Sequence, residues 1–148
     1  ESDRHAVPLY EEPFAMFVAA GHPLAGQGEV GPEELAAETM IARRACERLD
    51  ATSRFFTRHG VRPRFSLRSD SDERCLRMVA AGVGITTAPV SLAIEGVVPL
   101  KVSGYDFRRE LGLLLGPELA ETGSRLAAVL PALRDMAAEW RDSKVRMR

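Results

Sequence analysis

Residues 69–89, SDSDERCLRMVAAGVGITTAP, constrain the fold more than any other stretch, because a polar loop, a helix, a glycine turn and a buried strand follow one another without a gap. Asp70 and Glu73 have the spacing of an N-cap and its reciprocal acid, which predicts a helix opening at Asp70. Leu76, Val79 and Ala80 then form one apolar stripe at i, i+3, i+4 spacing, and Arg74 and Arg77 fall on the other side. Gly82 ends this helix as a residue free to enter the left-handed region. Gly84 lets the chain turn into the apolar run 85–88, which Pro89 closes. A strand two residues beyond a helix is the arrangement of a parallel sheet.

The rest of the chain continues the alternation. Residues 7–10 and 14–19 read as two strand segments, Pro32 at a first helical position opens a short helix to about Ala37, and 39–42 reads as a strand. A helix over 49–59 is stopped by Gly60, a strand covers 65–68 after Pro63, and strands over 97–102 and 110–115 follow. This order implies an α/β fold, a mainly parallel sheet with helices on both faces. Near the end Leu126, Val129, Leu130, Leu133, Met136 and Trp140 make one apolar stripe, capped by Ser124 after Gly123 and bent by Pro131. An apolar stripe of that length needs a partner.

Composition narrows the class without naming it. The 148 residues are 45% hydrophobic and 28% charged, enough to bury one core, with no run approaching a membrane span and no secretory leader, which points to the cytoplasm. Cys46 and Cys75 have neither metal-ligand spacing nor the density of a disulfide scaffold. The charge is uneven: residues 1–41 carry eight acids against Arg4, and residues 42–68 carry eight arginines against Glu47 and Asp50. Guanidinium groups suit carboxylate and phosphate anions. The chain also holds 18 Arg against two Lys, so Arg54, Arg58, Arg62 and Arg64 read first as a solvated face. Of the enzyme classes little remains. His5, His22 and His59 stand without HExxH, GxSxG, P-loop or CxxC company, and Gly82-Val83-Gly84 follows a helix, the reverse of a dinucleotide fingerprint. The expectation is a non-catalytic protein with neither metal nor cofactor.

The segments EPFAMFVAAGHPLA (12–25) and TMIARRAC (39–46), with Gly60, Met78-Val79-Ala80-Ala81-Gly82-Val83-Gly84-Ile85 and Pro89, resemble the effector-binding domain of LysR-type transcriptional regulators. The resemblance runs from about Val7 to Trp140 and explains His22 as part of the HPLA turn. It implies a type 2 periplasmic-binding-protein-like lobe over residues 13–104, a hinge strand over 1–12, and a return hinge strand and C-terminal helix over 105–148 that belong to an otherwise missing second lobe. It also implies a small-molecule effector whose binding controls DNA through an N-terminal winged helix-turn-helix that is absent from this chain. Because the chain begins at Glu1, it reads as a fragment. The runner-up, a two-lobed solute-binding protein, shares the topology and would carry a signal peptide upstream.

Ligands of open α/β sheets lie at strand carboxyl ends, where helix N-termini present free amides. Two such ends can be placed, at Arg43 to Cys46 and at Ser69 to Asp72, and the resemblance adds the loop near Thr87 and Pro89. Arg43, Arg44, Cys46, Ser69, Ser71, Thr87 and Pro89 are therefore the candidate effector contacts, with a small organic anion preferred. Cys46 lies between Arg44 and Arg48 before a helix, where cations and a helix N-terminus lower a thiol pKa. It also falls near the reactive cysteine of the family's peroxide-sensing members. Their resolving cysteine is lacking: residues 54–56 read Arg-Phe-Phe, and Cys75 is on another helix, so a redox switch is the lesser alternative. Phe65 and Leu67 alternate with Ser66 and Arg68 on a strand that the resemblance places near a partner subunit, and a homo-oligomer is expected.

Overall fold

A computed structural model describes residues 5–116 and 125–146. The chain divides into two compact units, one formed by residues 1–12 with 108–148 and the other by Pro13–Phe107.

The larger unit is built on the second half of β1 (His5–Ala19), which pairs antiparallel with β4 (Thr86–Pro89) and β5 (Val97–Leu100). The two strand segments expected at 7–10 and 14–19 are one strand. Pro13 does not interrupt it because it sits just before the β4 ladder begins at Phe14, where a missing donor breaks no pairing. β2 (Thr39–Arg43) and β3 (Arg64–Ser69) pair parallel, and β2 meets Ile85 in an isolated parallel bridge. The α/β class stands with one refinement: among the described residues of this unit parallel pairing joins β2 to β3 and to Ile85, and Val30 to Val102, whereas the pairings of β1 with β4 and β5 are antiparallel.

Side-chain alternation along β1 divides the core in two. Phe14, Met16 and Val18 enter one cluster with Met40 and with Phe55 and Phe56 of α1 (Leu49–Arg58). Ala15 and Phe17 enter the other with Ile41 and with Cys75, Leu76 and Val79 of α2 (Asp72–Ala80). A helix therefore covers each face, as a period of two along the strand requires.

The start of α2 corrects the expected cap. Ser71, extended at φ −95° and ψ 113°, is the last residue outside the helix, and its hydroxyl accepts from the Arg74 amide at 3.3 Å. Asp70 is one residue too early. Glu73 is not its reciprocal acid but the i, i+4 partner of Arg77, whose Nη2 stands 2.8 Å away. The end of α2 matches expectation: Gly82 has φ +74°. At Gly84 the demand is for space, since an added Cβ would collide with the Thr39 carbonyl oxygen, to which the Ile85 amide donates at 2.8 Å. The helix expected to Ala37 is a single 3₁₀ turn, Pro32–Leu35, with Pro32 at its start and Leu35 fully buried.

In the smaller unit the first half of β1 pairs with β6 (Arg108–Leu115). Gly112 lies so close to the Val7 carbonyl that no side chain fits there. The buried Glu12 carboxylate accepts from Arg109, at 2.8 Å to Nε and 2.7 Å to Nη2. α3 (Arg125–Arg146) includes Pro131 within its length, and Trp140 faces Tyr10 with ring centroids 6.0 Å apart. Leu130 and Leu133 are half-buried, whereas Val129, Met136 and Trp140 are 47%, 64% and 43% exposed. The expected cap at Gly123 and Ser124, and the Leu126 side chain, lie outside the described residues.

Candidate functional site

Because β2 and β3 are parallel neighbours, their carboxyl ends and the starts of α1 and α2 lie at the same edge of the larger unit. The loops there are joined through the backbone. The Arg44 amide donates to the Ser69 carbonyl at 2.9 Å, and the Cys46 amide to the Arg43 carbonyl at 3.1 Å.

Arg43 organises this edge from inside. Only 2% exposed, it donates from Nε and Nη2 to the two carboxylate oxygens of Asp72, each at 2.8 Å, and from Nη1 to the Thr87 carbonyl at 3.1 Å. Burial works against its charge, but the bond to Asp72 and that residue's negative charge outweigh it, and the guanidinium pKa lies above its usual value. Asp72 belongs to the first turn of α2, so one planar group ties the end of β2, the start of α2 and β4 together. Three of the five guanidinium donors are used within the protein.

Arg44 points the other way. Its side chain is 61% exposed and its nearest acid, Asp70, is 3.8 Å away and more exposed still. Ser69 Oγ accepts from the Ser71 amide at 3.2 Å, and Ser71 caps α2. Thr87 is buried. Its hydroxyl shares a hydrogen bond with the Tyr105 hydroxyl, which also meets Thr52 Oγ1 at 2.7 Å. Burial pushes the Tyr105 phenol above its usual pKa, so this chain of hydroxyls is neutral. Pro89 is buried in the ladder opposite Phe14. The structure thus brings Arg43, Arg44, Cys46, Ser69, Ser71 and Thr87 to one region and leaves Pro89 in the core.

Cys46 overturns the expected thiol chemistry. It is 7% exposed, and burial raises its pKa; the Arg48 amide and the Arg43 charge act in the opposite direction and do not offset that burial. Cationic neighbours in the sequence were a poor guide because burial, which sequence proximity does not report, has the largest effect on this thiol. Cys75 is likewise buried, unpaired and raised by burial, and it packs in the α2 cluster while Cys46 packs in the α1 cluster. The sheet separates the two thiols.

Sequence reasoning missed Asp72 and Tyr105. Asp72 carried a usable signal, an acid in the first turn of a helix that follows a strand ending in arginine. Tyr105 carried none, since its partners are 53 and 18 residues away. Among the described residues no three His, Cys, Asp or Glu side chains are placed to hold a metal ion, and no helix is long and apolar enough to cross a membrane.

A family model described as the LysR substrate binding domain matches residues 1–140. The HTH-type transcriptional regulator MetR of Escherichia coli K12 is 34% identical over 111 residues, 70% of this chain and 34% of that protein. The DNA-binding transcriptional dual regulator OxyR of the same organism is 34% identical over 119 residues, 75% of this chain and 38% of that protein. This chain therefore spans between a third and two fifths of the length of these relatives. Among solved structures, the CcmR regulatory domain of Synechocystis PCC6803 in complex with 2-PG superposes with a TM-score of 0.72 at 23% identity, covering 93% of this chain and 68% of that one. At that identity the likeness speaks for the fold, which is the type 2 periplasmic-binding-protein-like fold.

Proposed function

The chain belongs to the LysR substrate binding domain family, and from that premise we propose that it is the small-molecule effector-sensing portion of a LysR-type transcriptional regulator. The family match over residues 1–140 carries this reading. Relatives such as MetR and OxyR are transcriptional regulators, and the CcmR regulatory domain holds a small molecule, 2-PG. In this reading the chain is non-catalytic and works in the cytoplasm as part of a homo-oligomer. It controls DNA through a winged helix-turn-helix in the remainder of the protein. Residues 1–12 and 105–148 belong with a second lobe, and a ligand that favours one relative placement of the lobes shifts the DNA-binding state.

The strand-end region supplies the contacts. Arg44, exposed and only loosely matched by Asp70, is the cation offered to an effector, and Ser69 and Ser71 offer hydroxyls beside the free amides at the start of α2. Arg43, Thr87 and Cys46 form the floor beneath them, with Arg43 acting as a positioning residue. A small organic anion suits this set. The raised thiol pKa of Cys46 and its separation from Cys75 weigh against redox sensing, and the family match weighs against a solute-binding protein.

A thermal-shift screen of the full-length regulator against small carboxylates, phosphates, amines and neutral apolar compounds tests the reading. Stabilisation by an anion, reduced in Arg44→Gln, is the expected result. Stabilisation by amines alone overturns it.

A further inference from the structure

Thr52 and Thr87 line a cavity of about 230 Å³ beneath α1 together with Arg43 and Cys46, so both threonines belong to the strand-end region. Tyr105 stands behind them, 6% exposed, and its hydroxyl meets both Oγ1 atoms. Three hydroxyls carry three hydrogens, and the two bonds among them use two. The third has no protein acceptor among the described residues. A phenol that accepted from both threonines would keep its own hydrogen buried and unbonded, which forfeits a hydrogen bond. The hydrogens therefore run in one direction or the other through Tyr105, and the last of them is presented by Thr52 or Thr87 on the cavity wall.

The ring that carries this phenol is held on its other sides. It meets Phe55 edge to face with centroids 5.1 Å apart and Phe107 with centroids 4.8 Å apart and planes at 88°, and the Tyr105 amide donates to the Val102 carbonyl at 3.0 Å. Phe107 is the last residue of the larger unit. Its carbonyl accepts from the Phe14 amide at 2.8 Å, and β6 starts at the next residue. The residue bonded to the cavity wall thus stands two positions before the point where the chain leaves the unit, and its ring rests on the residue at that point.

We propose that Tyr105 is a positioning residue that couples occupancy of the strand-end region to the exit strand. An acceptor in the cavity that draws a threonine hydroxyl out of the chain leaves the phenol with one partner in place of two. The ring is then held less firmly against Phe107, and so is the peptide to which Phe14 bonds. The inference rests on the effector-sensing reading for its purpose, and it gives that reading a route from the site to β6.

Hydrogen–deuterium exchange of the full-length protein, read by mass spectrometry on overlapping peptides that isolate the Phe14 amide, tests the proposal. Thr52→Val and Thr87→Val, which keep the branched shape and lose the hydroxyl, are each expected to speed exchange of that amide about threefold, and Tyr105→Phe about tenfold, with peptides of α2 within about twofold of wild type. In the Tyr105→Phe background each Thr→Val change adds less than about 1.5-fold, because the bond it removes is already gone. Unchanged exchange at Phe14 in Tyr105→Phe, an equal rise across α2, or Thr→Val effects that persist at full size without the phenol overturns it. Should Tyr105→Phe not fold, the single threonine variants decide: a rise at Phe14 in either supports the coupling, and no change in both overturns it. The assay contains neither effector nor DNA, so its failure leaves the strand-end contacts standing, and a failed anion screen leaves this coupling standing.

Discussion

α1 and α2 lie on opposite faces of one sheet, yet α2 closes its face completely while α1 stands over a cavity. On the α2 side Cys75, Leu76 and Val79 are at most 1% exposed, Gly84 admits the backbone of β2 to contact distance, and Arg43 grips the first turn through Asp72. On the α1 side the contacts are rings. Phe55, Phe56, Tyr105 and Phe107 meet edge to face, with Phe55 and Tyr105 centroids 5.1 Å apart, and of these rings Phe56 lines the cavity of about 230 Å³, beside Met40, Ala42 and Val61. Side-chain shape and a single ion pair thus make one face fixed and the other roomy.

The sharpest way to break this contrast is to empty the closed face. Leu76→Ala removes a fully buried side chain from a region with no slack and is expected to cost about 3 kcal/mol of unfolding free energy, measured by urea denaturation. A loss below about 1 kcal/mol would mean that the α2 face collapses readily and is not fixed. Next, Arg43→Met leaves Asp72 facing the protein without its cation. Because the Asp72 side chain is 36% exposed and part of that charge remains hydrated, the expected loss is about 2 kcal/mol, less than for a fully buried pair.

Adding volume should separate the two faces directly. Ala88→Leu inserts a branched side chain into the α2 cluster and is expected to destabilise by about 2 kcal/mol, whereas Ala42→Leu grows into the cavity and stays within about 1 kcal/mol of the parent. Equal penalties would show that the cavity is not space a side chain can use. Smaller again is the cap of α2: Ser71→Ala is expected to lose about 1 kcal/mol and Asp70→Ala less than about 0.5 kcal/mol, the reverse of the order that sequence spacing implied.

The thiols provide the smallest effect. Burial raises both pKa values, so the folded state favours the neutral form. This contribution is fully present below the usual thiol pKa and is lost as pH rises through the folded value. Between about pH 8 and 10 the stability of the wild type should therefore decline more steeply than that of the Cys46→Ala/Cys75→Ala variant, and native-state alkylation should be slow near neutral pH. Rapid alkylation of Cys46 in the folded protein at pH 7 would restore the redox alternative.

Much of the fold was legible because it rests on local rules. The i, i+3, i+4 stripe of α2, Pro32 at the start of a turn and the left-handed Gly82 depend on neighbours in sequence and appear where those rules put them, whereas β1 joins two expected segments and the helix expected to Ala37 is one short turn. The cap moved by one residue because three adjacent polar side chains, Asp70, Ser71 and Asp72, all satisfy the cap pattern, and only the turn geometry chooses among them. The candidate site was legible to the extent that strand ends and helix starts are. Arg44, Ser69 and Ser71 follow from that rule, while the partners of Arg43 and Thr87 do not.

The order of residues therefore determined the elements, their apolar faces and the family resemblance, since those are properties of short windows and of their sequence along the chain. Tertiary structure decided where charge and space ended up. Arg43 and Arg44 are adjacent and chemically identical, yet one is buried against an acid 29 residues away and the other is left to solvent. Cys46 has cations on both sides in sequence and an environment in space that favours its neutral form. The cavity beneath α1 exists only because residues from 40 to 87 converge around it. Electrostatics and packing act through distance in space, and a strand reversal or a helix crossing sets that distance anew for every pair far apart in sequence.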